Sequence, residues 1–593
     1  MLISIVCTSL LLVTFPSVSA YSYQIPINRP AEAEISIPTI VTAEWQWVDI
    51  NPSRDLEWHD CYAEFQCARL DVPLDWLEPS DNERVVLAIV KLPARHLENY
   101  MGPLFTNPGG PGGSGVSHVL RSAKAIQKIV GENHDIISFD PRGIGASAPA
   151  LYCWPSRQSE KLWALQDVGV IDAHDGMVYD AYARASASSN LCTSVVGGNE
   201  TSGIYGAFSY VGTTSVARDM LEILNKTGHE KLRYWGFSYG TMLGGMFAAM
   251  YPEKIERMVN DGNVDYKEWT TCAHKNALHD TDIVMEAFYT FCHSAGPSNC
   301  ALWSPTPDLI KARLDTIIDS LKTDPIIVPA SLSLLDTSEL PELITYSSLK
   351  RLISTSLYQP VRFFPSFARV CSALENRDGA PFLDAATAWG YKKKQFSCDI
   401  PNIPPGPNDV ESNDDAFRAI MCSDGGEMTD SVEEFTEYAE GLMEMSKAAG
   451  AVNILFRIAC VGWKAKAKWR FTGPFEGNTS HPILFLANQA DNITPLRSAR
   501  ANAKGFNNSV VLIQNSYGHT SIAAASSCTA EYLRQYFQNG TLPDPDTKCE
   551  ADIVPFGRID EVGGLSLKEA ELRDEMWELG ETMTWVPFPG GRF

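Results

Sequence analysis

The segment Gly236-Phe237-Ser238-Tyr239-Gly240 offers the chain its most specific chance of chemistry. A G-x-S-x-G sequence places serine on a sharp turn between a strand and a helix, where a strained backbone lifts the hydroxyl clear of the sheet. The flanks suit that setting. Lys231-Leu232-Arg233-Tyr234-Trp235 reads as a short strand, and Thr241 to Tyr251 reads as a helix of small residues that stops at Pro252. A serine hydroxyl is a weak nucleophile at neutral pH. It needs a base to take its proton, and the base needs a carboxylate to fix its tautomer. In this setting the acid and the histidine come later in the chain, each after a further strand. Asp491 follows the apolar run Pro482 to Ala487, and His519 follows Ser509 to Ile513. Ser238, Asp491 and His519 therefore satisfy both order and placement, with Asp261, at the end of an earlier strand, as the rival acid.

The loop Asn107-Pro108-Gly109-Gly110-Pro111-Gly112-Gly113-Ser114-Gly115 lacks the Lys-Ser/Thr ending of a phosphate cradle. It suits an oxyanion hole, because glycines let main-chain N–H groups turn toward a tetrahedral intermediate. The expected donors are the N–H groups of Gly110 and of Tyr239, the residue after the serine. Acyl transfer by this set calls for no metal and no cofactor. Asp140-Pro141-Arg142-Gly143 reads as a scaffold turn beneath the site.

These residues need a frame. Short apolar runs end in turn signals at Pro103 to Thr106, Asp135 to Phe139, Lys231 to Trp235, Arg257 to Asn260, Pro482 to Ala487 and Ser509 to Ile513. Alternation of such runs with helical segments predicts an α/β fold with a mostly parallel sheet covered on both faces. Between 271 and 475 the pattern changes to long amphipathic stretches such as Leu309 to Leu321 and Val432 to Ala449, which predicts a large, mainly helical insertion. The expected organisation is a signal peptide over 1–20, a first core segment over 45–270, a helical lid over 271–475, a second core segment over 476–550, and a tail over 551–593 whose packing is undecided.

The formal net charge of -24 argues against nucleic acid, which needs a basic face. Leu2 to Phe15 is an apolar run too short to span a bilayer comfortably, and Val18-Ser19-Ala20 supplies small residues for cleavage before Tyr21. No later apolar run has transmembrane length, so the mature protein is expected to be secreted and off the membrane. Thirteen cysteines follow Cys7, an odd number in a compartment where most should pair. Sequons at Asn199, Asn225, Asn478, Asn507 and Asn539 are expected to carry glycans. The sequon at Asn492 adjoins Asp491, where a glycan would crowd the site.

With these residues in view, the chain resembles the secreted tripeptidyl and prolyl aminopeptidase family of serine hydrolases. The resemblance is carried by the Asn107 to Gly115 loop, Asp140 to Ser147, Gly236 to Thr241, Asp491 to Pro495, Gly518 to Ser521, and Cys528 with Gly540-Thr541-Leu542-Pro543 and Cys549. It spans roughly 55–270 and 415–550. It implies an α/β-hydrolase fold, a lid, and cleavage near a free peptide N-terminus, with lid carboxylates meeting the substrate's ammonium group. Glu427, Glu433, Glu434 and Glu437 are available for that role. Beside the resemblance, Cys61 with Cys67 and Cys528 with Cys549 look like local disulfides. Cys153 with Cys192, Cys292 with Cys300, Cys422 with Cys460 and Cys371 with Cys398 are further pairings, leaving Cys272 over. The expected partner is a peptide or small acyl substrate. An esterase, a lactonase or an acyltransferase acting on a small secreted metabolite is the alternative, and a binding module without activity is a third reading that the intact triad disfavours.

Overall fold

The computed structural model describes residues 45–199, 204–329, 341–389, 414–557 and 563–583. The expected signal segment and Cys398 lie outside the described residues, and the Asn199 sequon runs out of them after its first residue.

Ten strands form one sheet. The first five are β1 (His59–Cys61), β2 (Phe65–Pro73), β3 (Arg84–Leu92), β4 (Gly102–Asn107) and β5 (His134–Phe139). A small antiparallel hairpin of β6 (Gly198–Asn199) and β7 (Ile204–Tyr205) stands apart from it. The sheet continues with β8 (Leu232–Phe237) and β9 (Ile255–Asp261). A second separate hairpin pairs β10 (Ile326–Val328) with β11 (Glu342–Ile344). The last sheet strands are β12 (Leu484–Ala490), β13 (Val510–Tyr517) and β14 (Lys548–Glu550). Their spatial order is β1-β2-β3-β5-β4-β8-β9-β12-β13-β14. Pairing is antiparallel from β1 through β3 to β5, and parallel from β5 through to β14.

The sequence explains the parallel half. Every residue of β4 and β8 is buried, because helices cover both faces of these strands. One face packs against Val119 and Ile126 of helix Gly115–Val130, Leu533 and Phe537 of helix Ser527–Asn539, and Leu572, Met576 and Leu579 of helix Leu567–Thr582. The other packs against Met220 and Ile223 of helix Thr213–Lys226 and Met242 and Phe247 of helix Tyr239–Met250. The tail, undecided from sequence, thus carries a helix that completes one covering layer. Glu575 on that helix pairs with Lys128 at 2.6 Å.

Between β9 and β12 the described residues are mainly helical. Its longer helices are Thr281–Ala295, Pro307–Ser320, Tyr346–Ser356, Pro360–Glu375, Asp414–Asp424 and Val432–Met445. Most of these helices share a core of their own, in which Phe288, Leu352, Phe364, Phe367 and Phe435 are buried. A second excursion, between β5 and β8, contains helices Arg157–Ala164 and Met177–Val196. Its Val170, Ile171 and Ala173 join that same core, so the two excursions pack as one body.

Among the described residues five disulfides are formed: Cys61–Cys67, Cys153–Cys192, Cys292–Cys300, Cys422–Cys460 and Cys528–Cys549. Cys272 and Cys371 carry buried free thiols among the described residues, and the Cys272 sulfur lies 3.5 Å from that of Cys460. Arg142, fully buried, pairs with Asp219 at 2.6 Å and donates to the carbonyls of Leu74 and Tyr210. The Asp140 to Gly143 turn is therefore tied into the scaffold by its side chains.

Candidate active site

Ser238 sits between β8 and helix Tyr239–Met250 with φ 54° and ψ -122°. This is a left-handed position for a non-glycine residue, and such strain persists only where the surroundings enforce it. Three contacts do so. The Ser238 N–H donates to the Asp261 carbonyl at 2.9 Å, and its carbonyl accepts from the Thr241 N–H at 2.9 Å and hydroxyl at 2.6 Å. The flanking glycines are required by space. A Cβ at Gly236 would lie 2.6 Å from the Gly240 carbonyl, and one at Gly240 would lie 2.8 Å from the Asn107 carbonyl.

The carboxylate bonded to His519 is that of Asp491. Both of its oxygens lie 3.1 Å from Nδ1. Asp491 also accepts from the N–H groups of Ile493, Thr494 and Thr520 at 2.9 Å each, and from the Thr494 hydroxyl at 2.7 Å. Burial opposes its charge, but His519 and these donors outweigh burial and hold its pKa below the ordinary carboxylate value. An ionised acid at Nδ1 assigns the proton there and leaves Nε2 as the basic nitrogen.

Asp261 is equally buried, but its pKa moves in the opposite direction. Its oxygens accept from the N–H and hydroxyl of Ser521, at 2.8 and 2.6 Å, and from the Trp235 indole at 3.4 Å. Burial raises its pKa to about 6 in spite of these bonds. Asp261 links the elements of the site: its main chain holds Ser238, and its side chain holds Ser521, two residues beyond the histidine. In this way the ends of β8, β9, β12 and β13 converge on one place.

The glycine loop lies against the serine turn. A Cβ at Gly109 would lie 2.5 Å from the Phe237 carbonyl and 2.9 Å from Ser238 Cβ, so only glycine permits this approach. The Gly109 N–H is donated to Asn107 Oδ1 at 2.9 Å, and the next residue, Gly110, is the exposed one of the loop. Tyr239 begins the helix after the serine, where main-chain N–H groups lack intrahelical acceptors and the helix dipole favours negative charge.

Behind Tyr239 lies a network that the sequence did not reveal. The Tyr239 hydroxyl is 2.5 Å from Thr213 Oγ1, whose hydroxyl donates in turn to Asp424. Asp424 also accepts from the Thr213 N–H at 2.8 Å and the Trp269 indole at 2.9 Å. Burial lifts the Asp424 pKa to about 6. Asp424 comes from helix Asp414–Asp424, 211 residues from Thr213 and 155 from Trp269, so no local signal marks it. Thr494 was also missed, although an Asp followed by N–H donors two and three residues on is a recognisable turn pattern.

Of the glutamates considered for a lid role, Glu427, Glu433, Glu434 and Glu437 are all exposed. Glu427 pairs with Lys466 at 3.4 Å, and Glu434 closes a capping box with Ser431. Asn492 is 3% exposed, whereas Asn225, Asn478, Asn507 and Asn539 are exposed.

Comparison with known proteins agrees with the fold. The profile of the alpha/beta hydrolase fold matches residues 102–286, and that of the TAP-like proteins matches residues 446–549. The chain is 25% identical over 493 residues to the serine protease Hip1 of Mycobacterium tuberculosis, covering 82% of this chain and 87% of that one. It is 32% identical over 219 residues to the tripeptidyl aminopeptidase of Streptomyces coelicolor, covering 35% and 38%. It is 23% identical over 504 residues to carboxylesterase B of Mycobacterium tuberculosis, covering 82% and 86%. The sheet, whose strand ends carry a strained serine, a buried aspartate and a histidine, is that of the α/β-hydrolase fold, and the segment 446–549 is similar to the TAP-like proteins.

Proposed function

We propose that the protein is a secreted serine hydrolase that cleaves peptide bonds near a free N-terminus. The observation that carries the reading is the Asp491–His519 pair, oriented through Nδ1, together with a serine held at a left-handed turn and tied through Asp261 to the loop that carries the histidine. Ser238 attacks the substrate carbonyl as His519 Nε2 takes its proton. The N–H groups of Gly110 and Tyr239 hold the oxyanion. His519 then protonates the leaving amine, and water releases the acyl-enzyme by the same route in reverse. Asp491 stays ionised throughout and stabilises the imidazolium.

The preference for peptide ends rests on the inserted helices, read here as a lid over residues 271–475, and on relatives named as a serine protease and a tripeptidyl aminopeptidase. A lid that closes one end of the cleft admits only a few residues beyond the scissile bond. Secretion is supported by the five disulfides and the exposed sequons, which suit an oxidising compartment. The relative named carboxylesterase B favours a second reading, in which the same serine chemistry opens an ester.

Matched peptides with free and acetylated N-termini, incubated with wild type and Ser238→Ala and read by mass spectrometry, separate these readings. Cleavage of the free peptides alone, lost in the variant, is the expected result. Cleavage of neither peptide by wild type, together with turnover of simple esters, would replace the peptidase reading with the esterase one.

A further inference from the structure

From Gly518 to Ser521 the main-chain N–H groups of the histidine loop donate to the core, with one exception. Gly518 N–H donates to the Ala490 carbonyl at 3.0 Å, Thr520 N–H to Asp491 at 2.9 Å, and Ser521 N–H to Asp261 at 2.8 Å. The Asn488 amide donates to the carbonyls of Gly518 and Thr520 at 2.7 and 2.6 Å. The N–H of His519 itself goes elsewhere. It donates to the Tyr358 carbonyl at 2.8 Å, in the inserted region. The Tyr358 ring also stands across the imidazole, with centroids 5.4 Å apart and planes at 84°. Gly518, at φ 103°, lets the two chains meet, since a Cβ there would fall 2.4 Å from Pro360 Cδ and 2.7 Å from the Tyr358 carbonyl.

Tyr358 lies at the junction of helices Tyr346–Ser356 and Pro360–Glu375. That junction is fastened to the C-terminal helix Leu567–Thr582. The Gln359 amide donates to the Gly580 carbonyl at 3.0 Å. Arg362 donates to the Trp577 carbonyl at 2.5 Å, lies over the Trp577 ring at 4.1 Å, and pairs with Glu581 at 3.1 Å. The same helix abuts the far side of the histidine loop, where a Cβ at Gly580 would fall 2.4 Å from the Ile522 carbonyl. One helix thus backs both the junction that supplies Tyr358 and the loop that carries His519.

We propose that Tyr358 is a positioning residue for His519 and that the C-terminal helix holds it in place, so that a tail outside both matched family segments governs the reactivity of Ser238. The proposal rests on the triad reading above. A general base displaced by a fraction of an ångström loses rate while substrate binding is unaffected, so the effect belongs in kcat and not in KM.

The experiment uses the full chain, p-nitrophenyl acetate as substrate and a fluorophosphonate as a probe of Ser238. Labelling of wild type at Ser238 is the control for the triad, and its absence would remove that reading whatever Tyr358 does. Given labelling, Tyr358→Ala is expected to lower kcat and the labelling rate together by about tenfold, with KM and the melting temperature little changed. Tyr358→Phe, which keeps the ring, restores most of both. The double variant Gln359→Ala, Arg362→Ala, which leaves Tyr358 intact, is expected to lower kcat several-fold in the same way. If Tyr358→Ala does not fold, the double variant decides alone. Wild-type kcat in folded Tyr358→Ala or in the double variant, or a loss confined to KM, overturns the proposal.

Discussion

The loops after β8, β12 and β13 and the helices inserted between β9 and β12 meet at His519, and they hold it in different ways. At the strand ends the bonds are dense, some between near neighbours, as from Ile493 and Thr494 to Asp491, and others from strand to strand, as from Ser521 to Asp261. The inserted region makes few bonds to the site, each across a long sequence distance: Tyr358 to His519, and Asp424 to Thr213 behind Tyr239. On the proposed function the strand ends provide the reacting groups, and on the further proposal the insertion adjusts how His519 stands.

The contrast can be broken first at the serine. Ser238→Ala is expected to abolish phosphonate labelling and to lower hydrolysis by roughly 10⁴-fold or more, with little change in melting temperature. Undiminished turnover in this variant would move the chemistry away from the strand ends altogether.

The two buried aspartates sharpen the comparison next. Asp491→Asn is expected to lower kcat by about 10⁴-fold through loss of the correct tautomer, whereas Asp261→Asn, which touches Ser521 and Trp235, should cost less than about tenfold. Reversal of that order, measured on a simple ester, would transfer the acid to the end of β9.

Asp424 tests the inserted side through stability. Its pKa rises from 3.8 to about 6 on folding. Between those values the folded state binds more protons than the unfolded state, so its contribution to stability is complete below about pH 4 and is lost as pH rises through about 6. Asparagine imitates the protonated form. Asp424→Asn should therefore gain on wild type as pH rises from 4 to 7.5, by about 3 kcal/mol for a two-unit shift, read to within a factor of two. Melting curves of both proteins across this range give the difference directly, and a flat difference would show that Asp424 is not held in a raised state.

The smallest effects concern glycans. In a secreting host, Asn225→Gln and Asn478→Gln should each remove one glycan by intact mass, while Asn492→Gln, a buried position, changes nothing. A glycan on Asn492 would mean that the turn after Asp491 opens before folding is complete.

The proposed reacting groups were legible because their signals are local. A strained serine needs glycines two residues to either side, and an acid and a histidine at strand ends follow apolar runs that strand burial dictates. The glycine loop was legible for the same reason: its closeness to Ser238 demands residues without Cβ atoms. The excursion between β5 and β8 was not, because helices Arg157–Ala164 and Met177–Val196 interrupt the core without an apolar signature that separates them from its covering helices.

By itself, then, the sequence determined the α/β frame, the serine turn, the order of Ser238, Asp491 and His519, and the glycine loop. Each of these is written in spacing along the chain. Only the tertiary structure decided which aspartate meets the imidazole, since Asp261 and Asp491 both end strands and differ in what packs on them. It alone brought Tyr358, Asp424 and the tail helix to the site. Contacts between residues hundreds of positions apart leave no periodicity to read, and they depend on how separately formed layers close over one another.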